Sequence, residues 1–169
     1  MQEAYQKINA NDDQHRTLVA QQSLNTLIAA APNMNDLIQF HRNHKFFLQS
    51  KDERLYRELG YIVGNHENKS LHEIIAQYQS CFHIIIKKKT TLKQSVNAVQ
   101  HMAGFLKNDL TKAEKTQLHQ HIEEVAQQRD AMSAILRTLK RYARKYNNTY
   151  LLNQTLLNLC YQEVKQHKR

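Results

Sequence analysis

Three glycines and one proline in 169 residues leave little material for tight turns. Turns take positive φ from glycine and a preset φ from proline, so a sheet protein of many short strands is excluded. Alternating runs of Val, Ile and Thr are missing as well. The nearest to a strand is Ile84-Ile85-Ile86, which continues a helical pattern from Leu71. Only two cysteines are present, Cys81 and Cys160, with no CxxC pair, so a disulfide scaffold is excluded and two buried thiols in a reducing compartment are expected. No uninterrupted apolar run approaches the ~20 residues of a membrane span. The segment Met1-Gln2-Glu3-Ala4 lacks the basic and apolar parts of a signal peptide, and a cytoplasmic location is expected. GxxxxGK[ST], GxGxxG, GxSxG and HExxH are all absent, which removes the commonest nucleotide-binding, hydrolase and zinc-protease signatures.

Lysine and arginine are plentiful: 24 of them against 15 Asp and Glu give a formal charge of +9. A field of that sign attracts polyanions, nucleic acid first and an anionic membrane surface second.

Apolar residues recur at helical spacing along the chain and predict an all-α, single-domain bundle of six to seven helices. Asp12 or Asp13 is the expected cap of a first helix that runs to about Ala31, where Pro32-Asn33 stops it. A second spans about Met34 to Gln49, and a third Asp52 to Val63, with Gly64-Asn65 as its stop. Ser70 with Glu73 reads as a capping box for a fourth, and Thr90 or Thr91 starts a fifth. Thr111 with Glu114 opens a long pattern to Tyr146, with a bend or break expected near Gln127-Gln128. The last helix, from about Thr149 to Gln166, is apolar on two sides: Leu151, Leu152, Leu156 and Leu159 on one, Tyr150, Leu157, Tyr161 and Val164 on the other. Such a helix is sandwiched between layers or covered by a partner.

Several residues break the pattern. In the second helix His41, His44 and Lys45 fall inside the apolar arc of Met34, Leu37, Ile38, Phe40, Phe47 and Leu48. An unpartnered buried ammonium costs several kcal/mol, so Lys45 must snorkel, find an acid or line a polar cavity. Two readings stand: core histidines bonded to backbone carbonyls beside a snorkelling lysine, or a ligand pocket. Arg129 falls inside the stripe of Leu118, Ile122, Val125, Met132, Leu136 and Leu139, either as a buried ion pair or as an anion clamp. Asn97, His101 and Gly104 share a polar face, and Gly104 reads as a point of close approach for a helix or ligand. Arg57 points away from the apolar face of its helix. His41-x-x-His44, even with His101, lacks a Cys, Asp or Glu at ligand spacing, so no metal site is expected.

Two basic clusters bear on a polyanion partner. Lys87-Lys88-Lys89 with Lys93 sits at a helix corner, and Arg137, Lys140, Arg141, Arg144 and Lys145 share one broad helical face. No acid occurs between Asp130 and Glu163, so this face is single-signed. Nucleic-acid binding is the expected function of these nine residues.

The string Leu37-x-x-Phe40-His41-x-x-His44-Lys45, followed by Tyr56-Arg57-x-Leu59-Gly60, resembles the YbgA-type domain of bacteria. The resemblance continues at Asn97-x-Val99-Gln100-His101-x-x-Gly104-Phe105-Leu106-Lys107 and at Leu110-x-x-x-Glu114-Lys115-x-x-Leu118. It covers roughly Met34 to Gln154 and leaves an N-terminal helix, residues 1–32, outside a family-like domain of residues 33–169, the two packed as one domain. Family members carry prolines in the segment matching Gln127–Leu139 and in a tail after Gln154; this chain has neither. The family also occurs fused to desulfidase-type domains that act on thiolated uracil. In the fused form the resemblance implies RNA binding that presents thiolated tRNA to the catalytic half. That half holds an iron–sulfur cluster on three cysteines, and a chain with two cannot be it.

The function expected from residues and resemblance together is a non-catalytic nucleic-acid-binding domain, accessory to thiolated-tRNA metabolism. The expected partners are RNA, tRNA first, with DNA left open by charge alone, and a desulfidase-type protein. No membrane, cofactor or metal is expected, and the chain is expected as a monomer or homodimer. In the nucleic-acid reading Arg57, His41, Lys45 and His101 are candidates for a pocket that takes a phosphate or a flipped base, with His44, Asn97 and Arg129 grouped beside them. The alternative is a small enzyme or nucleotide-binding protein that uses a pocket of His41, His44 and Lys45.

Overall fold

The computed structural model describes residues 1–158, which form nine helices and no strand. They are α1 (Gln2–Ala29), α2 (Met34–Asn43), α3 (Lys45–Lys51), α4 (Glu53–Gly64), α5 (Leu71–Ile86), α6 (Leu92–Gly104), α7 (Lys112–Ala126), α8 (Met132–Lys145) and α9 (Thr149–Leu152). Short α3 is the hub. Its Phe46, Phe47 and Leu48 are all fully buried, which three consecutive residues can be only where a helix is covered all round. It packs against α4, α5 and α6, while α1 lies across α2, α5 and α8.

Local chemistry explains most boundaries. Asn33, Ser70, Thr91 and Thr111 each accept from the backbone N–H three residues on, and Asp36, Glu73, Gln94 and Glu114 return the bond, making four capping boxes. The break expected near Gln127-Gln128 is present. Gln128 takes φ 56°, the left-handed conformation that ends helices, and the Arg129 N–H reaches back to the Glu124 carbonyl at 2.8 Å.

Three expectations about helix extent are corrected. The first helix does not begin at Asp12 or Asp13; α1 starts at Gln2 and carries Asp12 in mid-helix. Its buried row is Asp12, Arg16, Ala20 and Leu24, at a constant spacing of four. Charged side chains occupy the first half of that row, so an apolar stripe marks only the second half.

The second helix is not continuous from Met34 to Gln49. It breaks at His44, which sits at φ −100°, ψ 4° between α2 and α3. Nor is the last helix continuous from Thr149: α9 ends at Leu152 and turns follow to residue 158. The two breaks satisfy each other. Helix ends leave carbonyls and N–H groups without intrahelical partners. Gln154 Nε2 donates to the Arg42 carbonyl at 2.9 Å, the Thr155 N–H to the Asn43 carbonyl at 3.0 Å, and the Phe46 N–H to Gln154 Oε1 at 3.4 Å. Leu159, Cys160, Tyr161 and Val164 lie outside the described residues. Cys81 is buried as expected, its Sγ 3.8 Å from the Leu55 carbonyl, and burial pushes its thiol up to about 11.

Candidate nucleic-acid interface

Helix α8 is the most strongly two-faced element. It buries Met132, Ile135, Leu136, Leu139, Tyr142 and Ala143, so the opposite face is turned outward. That face carries Arg137, Arg141, Arg144 and Lys145, all exposed, with half-buried Lys140 beside them. Lys145 Nζ lies 2.6 Å from Glu114 Oε1, and the Tyr146 hydroxyl donates to Glu114 Oε2 at 2.6 Å. These two bonds, Lys145 first, hold the Glu114 carboxyl down at about 2, and the same pairing raises Lys145. Arg137, Arg141 and Arg144 form no ion pair among the described residues. They therefore present guanidinium forks to solvent, the geometry that phosphate oxygens match.

The lysine corner lies where α5 passes to α6. Lys87, Lys88 and Lys89 are exposed in the connection and Lys93 is exposed in the first turn of α6. Lys89 also forms part of the wall of a cavity of about 620 Å³, with Asp12, Asp13 and Arg16 of α1 and Asp130 of the α7–α8 turn. Asp13 is fixed there by Lys51 Nζ at 2.6 Å and by the Thr90 hydroxyl at 2.9 Å. The sequence pattern does not reveal this cavity, because Asp13 at a helix start is expected as a cap and nothing local pairs it with Lys51. The spacing of four from Asp12 through Arg16 to Ala20 and Leu24 was the available signal.

The histidines sit within the aromatic core. His41 stacks on Tyr56, with centroids 5.2 Å apart and rings within 5° of parallel, and its Nδ1 shares a 3.1 Å hydrogen bond with the Tyr78 hydroxyl. His44 stacks on Phe40 at 4.0 Å, and its Nδ1 lies 2.8 Å from the Phe40 carbonyl. A carbonyl only accepts, so the proton is on Nδ1 and Nε2 is a bare acceptor, buried without a hydrogen bond. Desolvation lowers both imidazoles to about 4; for His41 the nearby His44 and Lys45 act in the same direction. Lys45 snorkels, half-buried, with Nζ over the rings of Phe46 and Phe105 at 5.4 and 5.8 Å.

The other residues grouped with this cluster do not join it in one pocket among the described residues. Arg57 is exposed and pairs with Glu53 at 3.3 Å. Asn97 and His101 are exposed on α6. Arg129 is neither helical nor buried; the left-handed Gln128 ends α7 first, and Arg129 borders a hollow with Gln120, Glu123 and Glu124. No helix closes on Gly104: a Cβ built there meets nothing within 4 Å. Among the described residues no three His, Cys, Asp or Glu side chains group so as to hold a metal ion. No described helix is long and apolar enough to cross a membrane.

Fold and surface together define a basic, all-helical domain whose α8 arginines face outward and whose His41 and His44 pack among aromatic rings. The chain belongs to the family described as protein of unknown function (DUF1722), whose model matches residues 45–160. It is also similar to the uncharacterized protein YbgA of Escherichia coli (strain K12), at 22% identity over 124 residues, or 73% of each chain. The family model begins at Lys45, so Phe40, His41 and His44 lie before the matched region. No solved structure matches the chain.

Proposed function

We propose that this chain is a non-catalytic nucleic-acid-binding domain of the cytoplasm, with RNA, and tRNA above all, as its target and thiolated-tRNA metabolism as its setting. The observation that carries the reading is the outer face of α8, where Arg137, Arg141 and Arg144 stand in solvent with no ion pair among the described residues. A charged face is usually balanced by interspersed acids. Here the net charge of +9 favours a polyanion, and the YbgA-type resemblance supports RNA over DNA.

Acid–base chemistry at His41, His44 and Lys45 gains little from the geometry. A general acid or base works best with a pKa near the operating pH, and burial holds both imidazoles at about 4. The buried pair therefore reads as architecture.

Binding of bulk tRNA, a random RNA and duplex DNA, each across a salt series, tests the proposal. Contacts to phosphate release counterions, so affinity for tRNA falls steeply between low and physiological salt. Affinity that barely changed with salt would sink the mechanism. Equal affinity for all three ligands would leave a generic basic protein.

A further inference from the structure

A second cationic surface lies at the junction of α2, α3, α6 and α9, and it differs from α8 in containing exposed aromatic area. Phe105 follows the last turn of α6 and is 45% exposed. Its ring meets Tyr150 of α9 at 4.9 Å between centroids, tilted by 37°, and meets the buried Phe46 edge-on at 5.8 Å. Two cations border these rings: the Arg42 guanidinium over Tyr150 at 5.1 Å and Lys45 Nζ over Phe105 at 5.8 Å.

What sets this ring apart from the other exposed apolar side chains is a second ring and two cations beside it, so apolar area and positive charge are presented together. The Asn148 side chain donates to the Phe105 carbonyl at 3.4 Å and Gln154 Nε2 to the Arg42 carbonyl at 2.9 Å, which ties down the backbone that carries each of these residues. Among the described residues, a Cβ at neighbouring Gly104 meets nothing within 4 Å.

We propose that Phe105 and Tyr150 form a stacking platform for an unstacked base of single-stranded or looped RNA, with Arg42 and Lys45 holding the adjoining phosphate. The proposal rests on the nucleic-acid reading above and adds where a base, as distinct from the backbone, is held. Every base has an apolar π-face linked to an anionic phosphate, and the patch pairs ring with cation in the same order. A base inside a duplex is already stacked and cannot reach such a platform, so the surface distinguishes single strands from duplexes. The arginines of α8 do not, because they contact phosphate alone.

The chain contains no tryptophan, so Phe105→Trp places a single reporter on the platform and keeps a stacking ring there. Fluorescence of this variant is titrated with a short unstructured oligouridylate and with a blunt RNA duplex of equal charge, while anisotropy of labelled RNA follows total binding. The expected result is quenching by the single strand along the anisotropy curve and none by the duplex. Phe105→Ala, checked for helicity by circular dichroism, then weakens single-strand binding roughly 10-fold and leaves the duplex unchanged. Single-strand binding seen by anisotropy without quenching overturns the platform and leaves the α8 proposal standing. If neither RNA binds at low salt, the nucleic-acid reading falls and the platform with it. Should Phe105→Ala not fold, the quenching result decides alone.

Discussion

Gln154 Nε2 donates to the Arg42 carbonyl across a separation of 112 residues, and the Gln154 side chain is wholly buried. The same amide takes the Phe46 N–H through its Oε1. One side chain thus ties the end of α2 and the start of α3 to the segment after α9, and holds Arg42 beside Tyr150.

Gln154→Leu keeps the volume and removes both bonds. A buried backbone group left without a partner costs about 1–3 kcal/mol, so the pair of losses should lower unfolding free energy by about 2–6 kcal/mol. Urea titration followed by far-UV circular dichroism measures it. A change within about 0.5 kcal/mol would mean that these hydrogen bonds contribute nothing net.

Lys51 and Asp13 give a second stability test. Lys51 is 2% exposed by its side chain and has Asp13 Oδ2 at 2.6 Å, which pins α1 to the hub α3. Asp13→Ala strands a buried ammonium and should cost about 3 kcal/mol, while Asp13→Ala combined with Lys51→Met should recover most of the loss. If the double variant is no more stable than the single, the pair is not the cause. The Thr90 hydroxyl loses its acceptor in both variants, so that bond cancels in the comparison.

This pair also shows what can be read along one chain. Capping boxes and the Gln127-Gln128 stop are local, a few residues each, and helix boundaries at Ser70, Thr91 and Thr111 follow from them. The exposed cationic face of α8 follows from a 3.6-residue period. The break at His44 was hidden because what sustains it, Gln154 and Thr155, lies more than 100 residues away. The first half of α1 was hidden because its buried row is charged. The Phe105–Tyr150 platform was hidden for the opposite reason: each residue alone looks like an ordinary apolar position, and only the fold brings Arg42 and Lys45 to the two rings.

Acid provides a third test. His41 and His44 have folded-state pKa values lowered by burial to about 4, against 6.5 when exposed. The unfolded chain then binds more protons than the folded one between those values, so stability falls as pH drops from about 6.5 to about 4 and is fully present above it. Each imidazole contributes about 3 kcal/mol at most, from about 1.4 kcal/mol for each pH unit of separation. Urea midpoints should therefore decline through that window. His44→Phe, which keeps the stack on Phe40 and the edge contact with Phe82 without a titrating nitrogen, should flatten part of the decline. A decline of full size in His44→Phe would place its origin elsewhere.

If the α8 face binds RNA through phosphate contacts, as proposed, the slope of log affinity against log salt reports how many of them it makes. Replacing Arg137, Arg141 and Arg144 with Ala removes exposed side chains and should leave helicity and urea midpoint unchanged. Each lost contact reduces the slope by about 0.7 on single strands and 0.9 on duplexes, so the triple variant should lose about 2–3 from the wild-type value for tRNA and bind more weakly at every salt concentration. A triple variant with the wild-type slope and affinity would show that this face makes no phosphate contact.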